Sequence, residues 1–287
     1  MISQREIEHL SEELNLSKST IDKDWVLGHF LDAIYSISEL KKVLIFKGGT
    51  CLKKCYLPDY RFSEDLDFTV TDKDFVFTDK MLDKVIKLVN KRTGIACHVV
   101  SLTDLIFKNQ KTGYEAIIKY WGADHPKNQI PPSPDRWQTS IKIEIILYEL
   151  MVFPAAKKKL FHPYSDKLTP HAQKIACYSI EEVITEKIRA LIQRKYTAPR
   201  DYYDIWYLSG NYDDLDNKKI VSAFYKKMKY KNIEFTGVDQ LINSDSERIL
   251  EKNWKNSLSH QIPEGKLPDF TTVISEVKKY FKILFTK

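Results

Sequence analysis

One stretch constrains the fold of this chain more than any other. Val43-Leu44-Ile45-Phe46 is an apolar tetrad, followed by Lys47, the pair Gly48-Gly49 and Thr50. The pattern predicts a buried strand, a two-glycine turn and a helix starting over Thr50 to Tyr56. Strand, turn and helix N-terminus together make a phosphate cradle, because glycines let backbone N–H groups approach an anion and the helix dipole favours negative charge there. After a spacer comes Arg61-Phe62-Ser63-Glu64-Asp65-Leu66-Asp67-Phe68. Here a strand of period 2 puts Ser63, Asp65, Asp67 and Thr69 on one face, and Phe62, Leu66, Phe68 and Val70 on the other. A Gly-Gly pair alone is most often a turn, and an Asp-x-Asp alone is most often a solvated edge. Their conjunction is more demanding. Two carboxylates on one face of a strand repel each other unless cations sit between them. Beside a phosphate cradle they suit two hard cations and a nucleoside triphosphate.

The 287 residues suffice for one large domain or two small ones. A 43% apolar and 29% charged composition does not suggest a disordered chain. The net charge of +6 is compatible with an acidic partner such as RNA without requiring one. Cys51, Cys55, Cys97 and Cys177 contain no C-x-x-C pair, so reduced, partly buried thiols are expected rather than a zinc site or disulfides. No signal-peptide core and no run of 18 apolar residues is present, so a soluble, cytoplasmic protein with no membrane partner is expected.

Taken in order, residues 3–14 and 20–39 read as helices, the second with Ile21, Trp25, Leu27, Phe30, Leu31 and Ile34 as its apolar stripe. His29 on this helix reads as structural. Residues 78–92 read as a helix stopped by Gly94. Segments 95–102 and 114–121 read as strands. Pro126, Pro131, Pro132 and Pro134 mark the segment 122–137 as a loop, either a cover for a substrate entrance or a plain excursion. Strand 139–148 puts Ile141, Ile143 and Ile145 on one face and Lys142 and Glu144 on the other. Glu144 is therefore a candidate third carboxylate, or an exposed acid paired to a lysine.

The composition changes after Pro154, and the boundary between domains is expected near 155–175, giving units of 1–155 and 156–287. Beyond it the chain reads as helical. Ser179-x-x-Glu182 is a capping-box pattern. Lys187 falls within the apolar stripe of Ile180, Val183, Ile184, Ile188 and Leu191, so it either snorkels outward or meets an anion. In Pro199-Arg200-Asp201-Tyr202-Tyr203-Asp204, Asp201 and Asp204 share a helical face with Ile205 and Leu208, although Asp201 also suits a cap. Lys218, Lys219, Lys226, Lys227, Lys229 and Lys231, interleaved with Phe224, Tyr225 and Tyr230, make helix 217–231 either a solvated face or a phosphate-tracking surface. Helices are also expected over 238–256 and 271–284.

On Phe46-Lys47-Gly48-Gly49-Thr50-x-Leu52 and Arg61-Phe62-Ser63-x-Asp65-x-Asp67-Phe68 the chain resembles the AbiE-type (AbiEii/AbiGii) nucleotidyltransferase toxins, including mycobacterial toxins that modify tRNA. These belong to the polymerase-β-like superfamily. The resemblance extends to Asp22-Lys23-Asp24-Trp25-Val26-Leu27, to Glu186-Lys187-Ile188 and to Arg200-Asp201-x-x-Asp204, about residues 20–210. It implies an α/β (α+β) nucleotidyltransferase domain with a mixed sheet, followed by a helical domain that contributes Lys187 and Asp201 to the site. It also implies transfer of a nucleoside monophosphate from a nucleoside triphosphate to an acceptor hydroxyl, the 3′ end of tRNA. Asp65, Asp67 and Glu144 would hold Mg²⁺, although the family more often has Asp at the third position. Gly48, Gly49, Thr50 and Ser63 would cradle phosphates. Lys187 would bind the triphosphate. An essential acid, here Asp201 in preference to Asp204, would face the nucleotide. The biological setting implied is the toxin of a bacterial toxin–antitoxin pair, with a cognate antitoxin as partner. Transfer to a protein or small molecule and a non-catalytic nucleotide- or RNA-binding module are the rival readings. The acidic set speaks against the module, since carboxylates beside RNA phosphates have no use without chemistry.

Overall fold

The computed structural model describes residues 1–194 and 196–285. The chain divides into two compact units, Met1–Glu149 with Ala155–Cys177, and Leu150–Pro154 with Tyr178–Lys287.

The first unit is built on a mixed sheet with strand order β3-β4-β5-β2-β1-β7-β6. Its strands are β1 (Leu44–Lys47), β2 (Asp65–Val70), β3 (Ala96–Phe107), β4 (Gln110–Trp121), β5 (Ser140–Ile146), β6 (Ala156–Lys158) and β7 (Ile175–Cys177). At the centre β1 runs antiparallel to β2, while β2 runs parallel to β5. The apolar faces of these strands, with Phe46, Leu66, Phe68, Ile141, Ile143 and Ile145, are buried in one core. The helices of this unit are α1 (Gln4–Leu14), α2 (Lys18–Ser36), α3 (Ser38–Val43), α4 (Gly48–Cys55) and α5 (Asp79–Thr93). Helix α2 is buried along nearly its whole length, with Trp25, Val26, Leu27, Phe30 and Leu31 fully enclosed. Its buried Asp24 receives Lys54 of α4 at 2.6 Å and the Tyr164 hydroxyl at 2.8 Å, which ties α4 to the core.

Several elements differ from the sequence pattern. The helix expected over 20–39 ends at Ser36, because Ile37 is extended and a separate short helix α3 follows. Strands β3 and β4 are longer than the alternation suggests. Lys108 and Asn109 both adopt positive φ, the backbone of a tight two-residue hairpin turn, and the pairing continues up to them. The stretch assigned to the helical part from 156 onward first supplies β6 and β7, and β7 pairs with β1. The chain passes between the compact units three times, at Glu149/Leu150, Pro154/Ala155 and Cys177/Tyr178.

The second unit is helical, with α6 (Ile180–Gln193), α7 (Pro199–Asn211), α8 (Asn217–Tyr230), α9 (Ser244–Leu258) and α10 (Phe270–Phe285). Ser179 caps α6 by accepting from the Glu182 N–H. The reciprocal half of the capping box is absent: the Glu182 carboxylate instead accepts from the Val152 and Phe153 N–H groups at 3.0 and 2.8 Å. Helix α9 starts at Ser244, later than expected. Asn243 and Ser246 form a full capping box there, and 238–240 is a separate 3₁₀ turn. Among the described residues no helix is long and apolar enough to cross a membrane.

Candidate active site

In the first unit the register delivers three carboxylates to one patch. Asp67 lies opposite Lys47 of β1 on one side and Glu144 of β5 on the other, and Asp65 lies opposite Lys142. Alternation in β2 keeps Leu66 and Phe68 in the core and leaves Asp65 and Asp67 half-buried on the outer face. Burial, opposed by Lys47 and then reinforced by the charges of Glu144 and Asp65, pushes the Asp67 carboxyl up to about 6. Lys142 is the partial counterweight. Its ammonium lies 3.9 Å from Asp65 and 3.6 Å from Glu144, and its pKa is raised by their charge against its own burial. Sequence alternation names the three carboxylates but assigns no role to Lys47 or Lys142. Both were visible in principle, Lys47 as the residue before the glycines and Lys142 as the same-face neighbour of Glu144.

The glycines are required by contact as well as by backbone. Gly48 has φ of +82°, and a Cβ there would collide with the Asp67 carboxylate. A Cβ on Gly49 would lie 2.8 Å from Arg61 Nη2 and 2.9 Å from Ser63 Oγ. The start of α4 is thus packed against Asp67, Arg61 and Ser63. Thr50 uses its hydroxyl within the fold. That hydroxyl is buried and donates to the Asp65 carbonyl at 2.6 Å, bracing β2 against α4. Its backbone N–H, in the first turn, is what it offers an anion. The donor set of Asp65, Asp67 and Glu144 is all oxygen and anionic, on adjacent strand positions. That chemistry fits a hard divalent cation.

In the second unit α6 and α7 pack together and bring Lys187, Asp201 and Asp204 into one cluster. Lys187 Nζ lies 2.8 Å from Asp201 Oδ1 and 2.7 Å from Asp204 Oδ2, and both aspartates are fully buried. Arg194 pairs with the other oxygen of Asp201. Lys187 therefore does not snorkel; it already meets anions. Asp201 is not a cap either, since Ala198 occupies that position without a side-chain bond. A cavity of about 250 Å³ opens beside this cluster, with Arg194, Asp201, Tyr202, Asn243 and Ser246 in its wall.

The lysine-rich helix needs a correction. Lys227 of α8 is fully buried, 2.6 Å from Glu182, and donates to the Leu150 carbonyl at 2.5 Å. It belongs to the core of the unit and not to a phosphate-tracking face. Lys218, Lys219, Lys226 and Lys229 remain exposed, together with Tyr225 and Tyr230.

A strand–glycine–helix cradle packed on paired acids of a mixed sheet, with a helical unit following, is the architecture of a nucleotidyltransferase. The chain belongs to the nucleotidyl transferase AbiEii toxin family of type IV toxin–antitoxin systems, whose model matches residues 29–276. It is thus an enzyme of the toxin class, with an antitoxin as its partner. Solved structures agree in fold. MenT4, a nucleotidyltransferase toxin of Mycobacterium tuberculosis H37Rv, superposes with a TM-score of 0.66 at 15% identity, covering 100% of this chain and 91% of that one. JHP933 of Helicobacter pylori superposes with a TM-score of 0.58 at 17% identity, covering 94% and 93%. No curated protein matches the sequence.

Proposed function

We propose that this toxin transfers a nucleoside monophosphate from a nucleoside triphosphate to an acceptor hydroxyl of RNA, the 3′ end of tRNA, with Mg²⁺ as the metal. The observation that carries the reading is the contact of Gly48 with Asp67. A helix start suited to an anion and a carboxylate of the acidic patch meet at one place, and neither has another evident use. In the reaction the acceptor oxygen bonds to the α-phosphorus, the α–β phosphoanhydride bond breaks, and pyrophosphate leaves.

Asp65, Asp67 and Glu144 would hold the metal, which supplies charge neutralisation for the phosphates and a lowered pKa for the acceptor hydroxyl. Backbone N–H groups at Gly48, Gly49 and Thr50, and the Ser63 hydroxyl, orient the triphosphate. Lys47, buried opposite Asp67, opposes burial and favours the ionised form of that carboxylate. Lys187 is assigned to the triphosphate charge, and Asp201 and Asp204 hold its ammonium in one position. The exposed lysines and tyrosines of α8 support an RNA acceptor, because stacking rings beside phosphate-binding ammonium groups suit a single strand.

The test is incubation of the purified protein with each of the four labelled nucleoside triphosphates, deacylated tRNA and total protein, with Mg²⁺ or a chelator. Label on the tRNA 3′ end in the presence of Mg²⁺ is expected. Label on protein alone would replace the RNA acceptor with a protein one. No transfer under any condition would sink the reading.

A further inference from the structure

We propose that Cys51, Cys55 and Cys177 form a binding site for one thiophilic d¹⁰ cation of the Zn²⁺, Cd²⁺ or Cu⁺ class. No C-x-x-C pair announces such a site, and all three are free thiols, as that spacing predicts; yet the fold gathers them. Cys51 and Cys55 are one turn apart on α4, so they share a face. Cys177 ends β7, opposite Phe46 of β1, the strand that leads into α4. Their three sulfurs lie within 4.8 Å of one another, and all three residues are buried.

The size of the cage is close to what coordination needs. With metal–sulfur bonds of about 2.3 Å, a trigonal set of three thiolates has sulfurs about 4.0 Å apart. Side-chain shifts of less than an ångström therefore close the cage. Soft sulfur ligands and a largely apolar wall select a soft cation over Mg²⁺. The surroundings also supply outer-shell support. The Tyr56 hydroxyl is 3.7 Å from Cys177 Sγ, and Lys158 sits 4.7 Å from the centre of the Tyr56 ring. Contacts from Cys51, Cys55 and Tyr56, with the Lys158 charge, hold the Cys177 thiol down to about 4, while burial raises the other two. The thiols release their protons to solvent as the cation enters.

A second cluster, His29, His162 and Asp166, also meets the distance condition but reads as a closed network. Both imidazoles use Nε2 on the Asp166 carboxylate, at 3.1 and 2.8 Å, and His162 Nδ1 is buried without a partner. A metal at Nε2 would force a proton onto that Nδ1, where no acceptor waits.

The thiolate site stands apart from the transfer reaction, so its test does not use activity. The reduced full-length protein is titrated with Cd²⁺ and followed by ultraviolet thiolate-to-cadmium charge-transfer absorption and by thermal unfolding. One Cd²⁺ per chain is expected, with a band of three-thiolate intensity and a raised Tm. Cys97→Ser should keep both, because Cys97 lies outside the cluster. Cys177→Ser should weaken binding by more than about 100-fold, beyond what an outer-shell change does. Cys55→Ala gives the same readout if Cys177→Ser does not fold. A wild-type protein with no charge-transfer band overturns the proposal without recourse to any variant. So does a band that survives in the cluster variants or disappears in Cys97→Ser.

Discussion

The two acid clusters of this toxin solve opposite electrostatic problems. In the second unit, two fully buried aspartates face Lys187 and Arg194, so charge is balanced and each carboxylate has a partner at bonding distance. In the first unit, three half-buried carboxylates share one patch: Asp65 and Glu144 lie 3.9 and 3.6 Å from Lys142, while Lys47 offsets Asp67 across the strand pair. The first arrangement is complete as it stands. The second carries more carboxylates than facing ammonium groups; the pKa of Asp67 is raised first by burial and only then by the charges of Glu144 and Asp65. Unbalanced carboxylates suit the cation of the proposed reaction, whereas the balanced cluster satisfies its own charges.

The largest expected effect breaks the balanced side. Lys187→Met leaves Asp201 and Asp204 buried with one cation fewer, and should lower unfolding stability by roughly 3–5 kcal/mol, the range for breaking a buried pair. Denaturant unfolding checks this. A variant as stable as wild type would mean that Lys187 is not structurally committed, contrary to its two short contacts.

A third buried acid sharpens the comparison because burial dominates it, with the Asp124 charge a lesser push in the same direction. Asp22 of α2 accepts from the Ala123 N–H at 2.7 Å, and burial, only partly offset by such backbone bonds, raises it to about 7. The folded state therefore holds a proton on Asp22 that the unfolded chain has released. This contribution is fully present below about pH 4, declines as pH rises, and is lost above about pH 7. Each tenfold change in proton affinity is worth about 1.4 kcal/mol, so the whole span is on the order of 4 kcal/mol. Asp22→Asn should flatten stability between these limits; an unchanged pH profile would contradict it.

Gly48→Ala tests the cradle. The positive φ and the clash with Asp67 should cost about 1–3 kcal/mol of stability and displace the carboxylate. Transfer should fall much further than stability. Equal losses, measured by unfolding and by labelled-nucleotide transfer, would make the turn merely structural.

The smallest effect distinguishes the two clusters by sign. Asp67→Asn should leave stability in the absence of metal unchanged or raised by less than about 1 kcal/mol, since it relieves repulsion in a partly exposed site. A loss comparable with that of Lys187→Met would show the patch to be as self-satisfied as the other cluster.

The patch was far more legible in sequence than the balanced cluster, for a physical reason. Period-2 alternation names the face of Asp65, Asp67 and Glu144 directly, and a glycine pair after an apolar run announces the turn. Helical periodicity places Lys187 inward but cannot say what it meets, because its partners lie on the next helix. Lys227 misleads for the same reason: composition makes it one of a row of surface lysines, whereas tertiary packing sets it against Glu182. The sheet edge formed by β6 and β7 was also hidden, since three-residue strands carry too little pattern to register against a lysine-rich connector. Cys177 shares that blind spot, and with it the meeting of the three thiols.

The most direct test of the central claim is the Mg²⁺-dependent nucleotide transfer rate of Asp67→Asn against wild type, on deacylated tRNA, with folding confirmed by thermal unfolding. A fall of more than about 100-fold at unchanged Tm is predicted, larger than the loss of an outer-shell partner would give. A variant that folds and transfers at the wild-type rate would contradict the assignment of the carboxylate patch as the catalytic metal site.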